Sequence, residues 1–378
     1  MKLRFRRCLR GGVSLALATT TLWAVAAAAP LNSLDEAARS LGGDTLALAL
    51  LRFERGDFLS GLSLPAALAL NVTPLLIPRG ETNEPPDTPQ DTPVEAETAQ
   101  PPAEAESAEL PPLTVRDNGV PSTTLRVSDT AGYLVCENVY VHNTSAAPLA
   151  QSDLSFDFAA VLPEDAPQVL IVHTHGCEAY TMPAGEEYEA SDDHRTLDER
   201  YNVVRIGDEI AQVLENAGIG VVHDRTLHDY PNYSGAYNRS LATIENALKE
   251  NPSLVYILDV HRDAVSDADG RQYKLLCAEE PNAAQLEFVI GSNGGGLSHD
   301  RWRDNLRLAC AVQATVLRDH PTLMRPIIVR NSRYNQQVSP GALLLEVGTA
   351  GNSLEEALTA ARLFAQGFAE TVQGQPNG

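Results

Sequence analysis

Cysteine and aromatic residues are both scarce in this chain. Five cysteines among 378 residues, with no CxxC pair, argue against a disulfide scaffold and against a cysteine-rich structural zinc site. Four of them lie in the later part of the chain, and their spacing leaves open two disulfides or none. Aromatic residues make up 6%, which is low for a chain packed from end to end. We therefore expect part of the chain to stay unpacked.

Positive charge is also in short supply. There are 28 Lys and Arg residues against 50 Asp and Glu residues, which gives a formal net charge of −22. Nucleic-acid binding needs a basic face that neutralises phosphates. Docking on anionic lipid likewise needs a polybasic segment. The composition therefore argues against nucleic acid as a partner and against electrostatic binding to a lipid surface.

The N-terminus concentrates what positive charge there is. Five cations precede an apolar run from Val13 to Ala29, which ends in small residues before Pro30. This pattern is typical of a signal peptide or a signal anchor, and we assign it to residues 1–30. The run is at the lower limit of about 17–25 residues for a membrane-spanning helix, so cleavage and retention both remain open. We expect a single-pass protein of the cell membrane with its C-terminal domain outside.

The remaining chain divides into three segments by composition. Residues 31–78 carry apolar residues at helical spacing and are predicted to form a helical juxtamembrane segment. Residues 79–114 are rich in proline, with nine acids and no Lys or Arg between Glu81 and Glu109. Such a stretch cannot bury enough apolar area to offset its ordering entropy, so we predict a disordered acidic linker. Residues 115–378 have the pattern of a packed domain.

Apolar strands alternate with amphipathic helices in this last segment. Val169–Val172 is a short continuous apolar run, and Asn202–Ala217 has apolar residues along one helical face. Further runs follow, including Leu254–Val260 and Leu343–Val347. Near-continuous apolar strands separated by helices are typical of a sheet covered on both faces. The sequence predicts an α/β layered domain with a mostly parallel sheet flanked by helices.

Polar residues stand at the ends of three of these predicted strands. The first strand leads to His175 and Glu178, the second to His261, and the third to Glu346. Functional groups in open α/β sheets gather beyond the carboxyl ends of strands, so we expect these side chains to meet. Two imidazoles and one carboxylate suit Zn²⁺ and leave a fourth position for water, which is the catalytic pattern. Glu346 is then the general base and acid for that water.

Other polar residues of the same motifs have alternative roles. His173 precedes His175 by two residues and would share its face on an extended strand, so it is an alternative ligand or a hydrogen-bonding neighbour. Arg262 is predicted to polarise the substrate carbonyl or to bind a peptide carboxylate. The alternative is an ion pair with Glu346. Asp263 could orient a histidine or cap a loop. Two tyrosines suit either a glycan groove or ordinary packing, namely Tyr233 and Tyr237.

Two rival functions are compatible with the same residues. Cys177 could be the nucleophile of a cysteine hydrolase, although it stands between two candidate metal ligands. A non-catalytic binding or scaffold protein is the other rival. A degenerate scaffold is expected to lose a ligand or Glu346, and all of these residues are present.

Four motifs together resemble the stage II sporulation protein P family. They are His173-Thr-His175-x-x-Glu178-x-Tyr180, Leu258-Asp259-Val-His261-Arg262-Asp263, Arg333-Tyr334-Asn335-Gln336 and Glu346-Val-Gly348-x-x-x-Asn352. The resemblance implies a zinc-dependent peptidoglycan hydrolase, related to the amidases that cleave N-acetylmuramoyl–L-alanine bonds. It further implies cleavage of peptide cross-links, a role in engulfment during sporulation, and the stage II sporulation proteins D and M as partners.

The resemblance also bears on individual residues. In the related amidases two His and one Glu hold the metal and a second Glu is the catalyst, which His175, His261 and Glu346 match. The Glu ligand of those amidases lies just before a helix, and Glu199 holds that place here. The third position therefore stays open between Glu178, Glu199 and water, with Glu178 preferred.

Overall fold

The computed structural model describes residues 110–158, 166–267 and 269–374. The predicted membrane segment, the helical segment 31–78 and the linker up to residue 109 lie outside the described residues. In the described ranges no helix is both long and apolar enough to cross a membrane. Leu110 and Leu113, which were predicted as linker, pack against the hydrophobic core. Packing therefore begins before residue 115.

The described chain forms twelve strands and four α-helices. The strands are β1 (Ser122–Thr123), β2 (Leu134–Cys136), β3 (Val139–Asn143), β4 (Val169–Val172), β5 (Ala190–Asp192), β6 (Arg195–Thr196), β7 (Val221–His223), β8 (Tyr256–Asp263), β9 (Lys274–Leu275), β10 (Leu286–Gly291), β11 (Ile327–Arg330) and β12 (Gly341–Thr349). The helices are α1 (Val203–Asn216), α2 (Ala236–Glu250), α3 (Trp302–Asp319) and α4 (Leu354–Gln373), with short 3₁₀ turns at Gln151–Asp153 and Gln336–Val338.

Eight of the strands form one mixed sheet in the order β2-β3-β11-β10-β12-β8-β4-β7. Strand β12 pairs in parallel with β8, which pairs in parallel with β4, and β4 in turn with β7. Strands β10, β11 and β3 also pair in parallel with one another. The antiparallel contacts are β10 with β12 and β2 with β3. The remaining strands form two small pairs, β1 with β9 and β5 with β6.

Helices cover both faces of the sheet, which confirms the predicted α/β layering. Alternate residues of β4 point to opposite faces: Val169 and Ile171 enter a large core cluster, and Leu170 and Val172 enter a smaller one. The large cluster includes apolar side chains of α1, α3 and α4, whereas the smaller one includes Ile244 of α2. The smaller cluster lies on the face that also carries the candidate site.

Two central strands are longer than their apolar patterns predict. Strand β8 runs through His261 to Asp263, and β12 runs through Glu346 to Thr349. His261 therefore lies within β8, which corrects the prediction that it follows the strand end, whereas Glu346 lies inside β12 as it does in the predicted strand Leu343–Val347. The reason is that main-chain pairing between β8 and β12 continues past the point where the side chains become polar. Ile257 and Ala342, in the same alternation as these two residues, belong to the smaller cluster.

Candidate functional site

His175 lies in a turn immediately after β4. The amide of Glu178 donates to the carbonyl of His175 over 3.1 Å, which closes the turn. The imidazole is buried and stacks on Tyr233, with ring centroids 4.4 Å apart and an interplanar angle of 3°. Tyr237 of α2 meets its edge at 5.6 Å. Burial lowers the pKa of His175 to about 4, so the ring is neutral at physiological pH.

His261 lies between two carboxylates and close to His175. Its Nε2 is 3.0 Å from Oδ1 of Asp259, and its Nδ1 is 3.4 Å from Oε2 of Glu178. The centroids of the His261 and His175 rings are 5.4 Å apart. Burial by itself lowers the pKa of His261, but the charges of Asp259 and Glu178 outweigh burial and raise it well above its usual value.

Glu178 is held by groups from two strands, β6 and β8. Its Oε2 accepts the backbone N–H of Arg262 at 3.2 Å, and its Oε1 is 3.4 Å from the Nη2 of Arg195. Burial by itself raises the pKa of Glu178. The hydrogen bond with His261 and the charge of Arg262 lower it and outweigh burial, so the net pKa is well below the usual range. Glu178 is therefore ionised beside both candidate histidines.

Glu346 lies directly opposite His261 in the register of β12 and β8. Its Oε2 atom is buried and has no hydrogen-bond partner among the described residues. Burial raises the pKa of Glu346 to about 8, and the neighbouring carboxylates of Asp263 and Glu178 add to this effect. This carboxyl group can therefore hold and release a proton near neutral pH.

Three buried polar atoms of this site lack a hydrogen bond in the described part of the chain: Nδ1 of His175, Oε2 of Glu346, and Nε2 of His261, which is close to Asp259 but outside hydrogen-bond geometry. Unpaired buried polar groups are costly, and a cluster of them indicates a site that binds something. Imidazole nitrogens and carboxylate oxygens suit zinc in kind. As placed, however, no three His, Cys, Asp or Glu side chains of the described residues are arranged to hold a metal ion.

The structure turns His173 away from this site. Strand β4 ends at Val172, so strand alternation does not carry His173 and His175 to one face. The Nδ1 of His173 contacts the carbonyl of Val260 at 3.0 Å, and its Nε2 contacts Nε2 of His223 at 2.8 Å. A Cβ on Gly207 of α1 would meet His173 at 2.7 Å, which places this ring on the opposite side of the sheet.

Glu199, the other alternative ligand, is also outside the site. Its carboxylate pairs with Arg225 at 2.8 Å, and both side chains are more than 40% exposed. Of the two candidates for the third position, Glu178 is the one that the fold brings to His175 and His261.

Arg262 and Asp263 have other partners than those expected. The Nε of Arg262 donates to the carbonyl of Ala179 at 3.1 Å, and its Nη2 donates to the carbonyl of His194 at 2.9 Å. The guanidinium therefore supports the loop after Glu178 and forms no ion pair with Glu346 in the described structure. Asp263 accepts from Arg325 at 2.8 Å and does not orient a histidine.

Tyr233 and Cys177 are likewise engaged in packing. One face of the Tyr233 ring covers His175, and the guanidinium of Arg195 lies 4.6 Å from the ring centroid. The side chain is nonetheless 47% exposed, so both alternatives for Tyr233, packing and a glycan groove, are compatible with the structure. Cys177 is buried, and burial together with the charge of Asp229 raises the pKa of its thiol far above the usual value. The reactive thiolate is thus disfavoured.

Three polar residues of the site were missed by sequence reasoning: Asp229, Arg195 and Asp259. Asp259 precedes His261 by two residues, and the period of two in a strand would have placed both on one face. Arg195 comes from the β5–β6 hairpin, which lacks an apolar pattern; it pairs with Asp229 and Glu178. No local signal in the sequence marks these two residues as neighbours of His175.

Comparisons with known proteins show which family this chain is similar to. The family model described as Stage II sporulation protein P (SpoIIP) matches residues 84–369. The Stage II sporulation protein P of Bacillus subtilis (strain 168) is 30% identical over 218 residues, 54% of this chain and 51% of the relative. The chain thus spans about half the length of that curated relative.

Solved amidase structures are matched weakly. The N-acetylmuramoyl-L-alanine amidase AmiC2 of Nostoc punctiforme is 15% identical, with 55% of this chain and 96% of that chain covered and a TM-score of 0.32. The amidase Ami1 from Mycobacterium smegmatis is 13% identical, with 57% and 100% covered and a TM-score of 0.34. At these TM-scores the likeness supports no conclusion about this chain.

Proposed function

Because the chain belongs to the stage II sporulation protein P family, we propose that it is an exported, zinc-dependent peptidoglycan hydrolase that cleaves the N-acetylmuramoyl–L-alanine amide bond. The observation that carries the proposal is the cluster of His175, Glu178, His261 and Glu346, with three buried polar atoms that lack partners within the described residues. Buried groups with perturbed pKa values are typical of catalytic sites.

His175, Glu178 and His261 are the residues that would hold the metal. His175 is neutral at physiological pH and Glu178 is ionised, which are the protonation states that metal binding requires. His261 has a raised pKa because two carboxylates flank it, so its binding to a cation releases a proton. When bound, zinc supplies Lewis acidity toward the scissile carbonyl.

Glu346 carries the proton transfer. Hydrolysis of an amide requires a group that accepts a proton from the attacking water and then delivers one to the departing amine. A carboxyl group with a pKa of about 8 exchanges its proton near neutral pH, which suits both steps. Its Oε2 has no competing hydrogen bond in the described structure and is held next to His261 by main-chain pairing.

The rival functions have weaker support. A cysteine-dependent peptidase needs an accessible thiol with a lowered pKa, whereas Cys177 is buried and its pKa is raised. A wall-binding scaffold has no need for a buried carboxyl with a raised pKa opposite a histidine. Both features favour an enzyme.

The location and partners of the protein are part of the proposal and follow from the family and the sequence pattern. We propose a membrane-tethered protein, with residues 13–29 as the apolar segment and the catalytic domain outside the cell. The substrate is peptidoglycan, with cleavage of peptide cross-links as a further activity during engulfment. The stage II sporulation proteins D and M are the proposed partners.

Hydrolysis of purified peptidoglycan with and without a chelator tests the proposed function. We expect the protein to release soluble fragments, to lose this activity after chelation, and to regain it on addition of zinc. Full activity after complete removal of metal, verified by elemental analysis, would contradict zinc dependence. No activity in any metal-loaded preparation would favour the scaffold.

A further inference from the structure

We propose that Asn335 is a positioning residue for His175, acting through helix α2 and through the turn that carries the histidine. The inference deepens the proposed function and rests on it for the catalytic importance of His175. Asn335 belongs to the motif Arg333-Tyr334-Asn335-Gln336, which contributes to the family resemblance but has no part in the proposed chemistry.

The backbone of this motif has an unusual conformation. Tyr334 and Asn335 have positive φ angles of 52° and 57°, in the left-handed region that residues other than glycine rarely adopt. Two such residues in succession cost conformational free energy, so they persist only where surrounding contacts hold them. The contacts of the motif therefore indicate what its shape is for.

Gln336 anchors the motif to the sheet. Its side chain accepts the backbone N–H of Gly291 at 2.8 Å and donates to the carbonyl of Val289 at 2.7 Å, both on β10. A Cβ on Gly291 would meet the carbonyl oxygen of Arg333 at 2.5 Å, so only glycine admits the loop this close to the strand. The loop that carries Asn335 is thus fixed to the edge of β10.

Asn335 connects this anchored loop to α2. Its Nδ2 donates to the backbone carbonyl of Tyr237 at 2.8 Å and to the hydroxyl of Ser240 at 3.0 Å, both in the first two turns of the helix. The ring of Tyr237 contacts the ring of His175 at a centroid distance of 5.6 Å. Tyr334 packs against the same tyrosine, with ring centroids 5.7 Å apart. Asn335 therefore fixes the position from which Tyr237 contacts His175.

A second route leads from Asn335 to the turn itself. The hydroxyl of Thr174 donates to Oδ2 of Asp259 at 2.6 Å, because an ionised carboxylate can only accept. The oxygen of Thr174 is 2.7 Å from that of Ser240, so Ser240 is the donor in that hydrogen bond. Ser240 in turn accepts from Asn335. Every hydrogen bond from Asn335 to the residue before His175 thus has a fixed direction, which begins at the amide of Asn335.

Asn335→Gly and Asn335→Asp test the proposal, with Asn305→Asp as the matched control. Glycine and aspartate both tolerate left-handed φ angles, but neither side chain can donate to α2. Asn305 likewise donates with its Nδ2 to two acceptors, the carbonyls of Ser339 and Ala342, which lie outside α2. The control variant therefore loses an equivalent pair of hydrogen bonds away from His175.

The first readout is the set of ring resonances of His175 in the metal-free full chain, recorded with ¹³C-labelled histidine. The rings of Tyr233 and Tyr237 pack on His175, so a displacement among these rings changes the chemical shifts. We expect changed shifts in both Asn335 variants and wild-type shifts in Asn305→Asp, with a lower melting temperature in all three. A role confined to the loop backbone predicts wild-type shifts in Asn335→Gly, because glycine adopts the left-handed conformation freely.

Ser240→Ala decides the question if neither Asn335 variant folds. It removes the link to Thr174 and leaves the hydrogen bond between Asn335 and the carbonyl of Tyr237 in place. The same resonances of His175 should change in this variant. Wild-type shifts in Ser240→Ala would then overturn the positioning role.

Turnover separates this inference from the proposed function. We expect the kcat for peptidoglycan hydrolysis to fall about 10-fold or more in Asn335→Gly with little change in KM, because a small displacement of a catalytic group lowers turnover steeply. Absence of hydrolysis by the wild type would contradict the proposed function, and the shifts of His175 would then decide the role of Asn335. Shifts in Asn335→Gly that match the wild type would overturn that role, whatever the activity of the wild type.

Discussion

Glu346 on β12 and His261 on β8 are directly opposite each other in the parallel register of the central sheet. Both belong to strands buried in the core, so main-chain hydrogen bonds and packing on both sides fix their spacing. Sites built on strands hold their geometry more closely than sites built on loops. The proposed proton-transfer group and one proposed ligand therefore share a rigid base, whereas His175 and Glu178 approach from the turn after β4.

Replacing either candidate histidine should remove metal and activity together. His175→Ala and His261→Ala each delete one of three proposed protein ligands, and a metal site with two remaining ligands loses most of its affinity. Elemental analysis and peptidoglycan hydrolysis on the same preparation check the expectation. Zinc bound in stoichiometric amount to either variant would show that the replaced residue is not a ligand.

The third ligand can be identified by comparing two glutamates. Glu178→Gln should weaken zinc binding, because Glu178 is buried beside His261. Glu199→Gln should leave zinc binding unchanged and should cost less than about 1 kcal/mol of stability, because its ion pair with Arg225 is exposed. Zinc titrations and thermal melts on both variants give the answer. Loss of zinc from the Glu199 variant alone would reverse the assignment.

The sequence predicted the core of this fold better than its edges. The apolar run at Val169–Val172 matches β4, because a strand covered on both faces is continuously apolar. The β5–β6 hairpin escaped prediction, since β5 is exposed over its whole length and carries no alternation. The ends of β8 and β12 were predicted wrongly because the apolar pattern stops where the side chains become polar. The main-chain hydrogen bonds between the strands continue beyond that point.

The candidate site shows the same division. His175, His261, Glu178 and Glu346 were identified because each follows an apolar run at short range. His173 points away from the site because β4 ends at Val172. Moving the end of a strand by one residue changes the face to which the following side chain points, and sequence patterns do not fix that end. The exclusion of Glu199 depends on an ion pair with Arg225, 26 residues away.

Arg262→Lys should act on stability more than on turnover. The guanidinium of Arg262 donates to the carbonyls of Ala179 and His194, and lysine cannot reproduce that fork. We expect a melting temperature lower by several degrees and near-normal activity per zinc-loaded, folded molecule. Both quantities can be measured on one preparation. A large loss of turnover at unchanged stability would instead support the predicted contact between Arg262 and the substrate.

Glu346→Gln should stabilise the metal-free protein at neutral and alkaline pH. The pKa of Glu346 rises from its ordinary value of 4.5 to about 8 on folding, so the folded state favours the protonated form. Wild-type stability therefore falls as the pH rises from about 4.5 to 8, whereas glutamine does not titrate. The difference in melting temperature should grow over this range and level off above it. A constant difference from pH 4 to pH 9 would contradict the raised pKa.

The same variant tests the role of Glu346 in proton transfer when its turnover is measured with zinc bound. Glutamine matches the size of Glu346 but cannot accept a proton, and general acid–base help of this kind is worth about 10²–10⁴-fold. The measurement is the rate at which new amino termini of L-alanine appear in purified peptidoglycan, at equal zinc content for both proteins. We expect a loss of at least about 10²-fold in Glu346→Gln. A rate close to that of the wild type would contradict it.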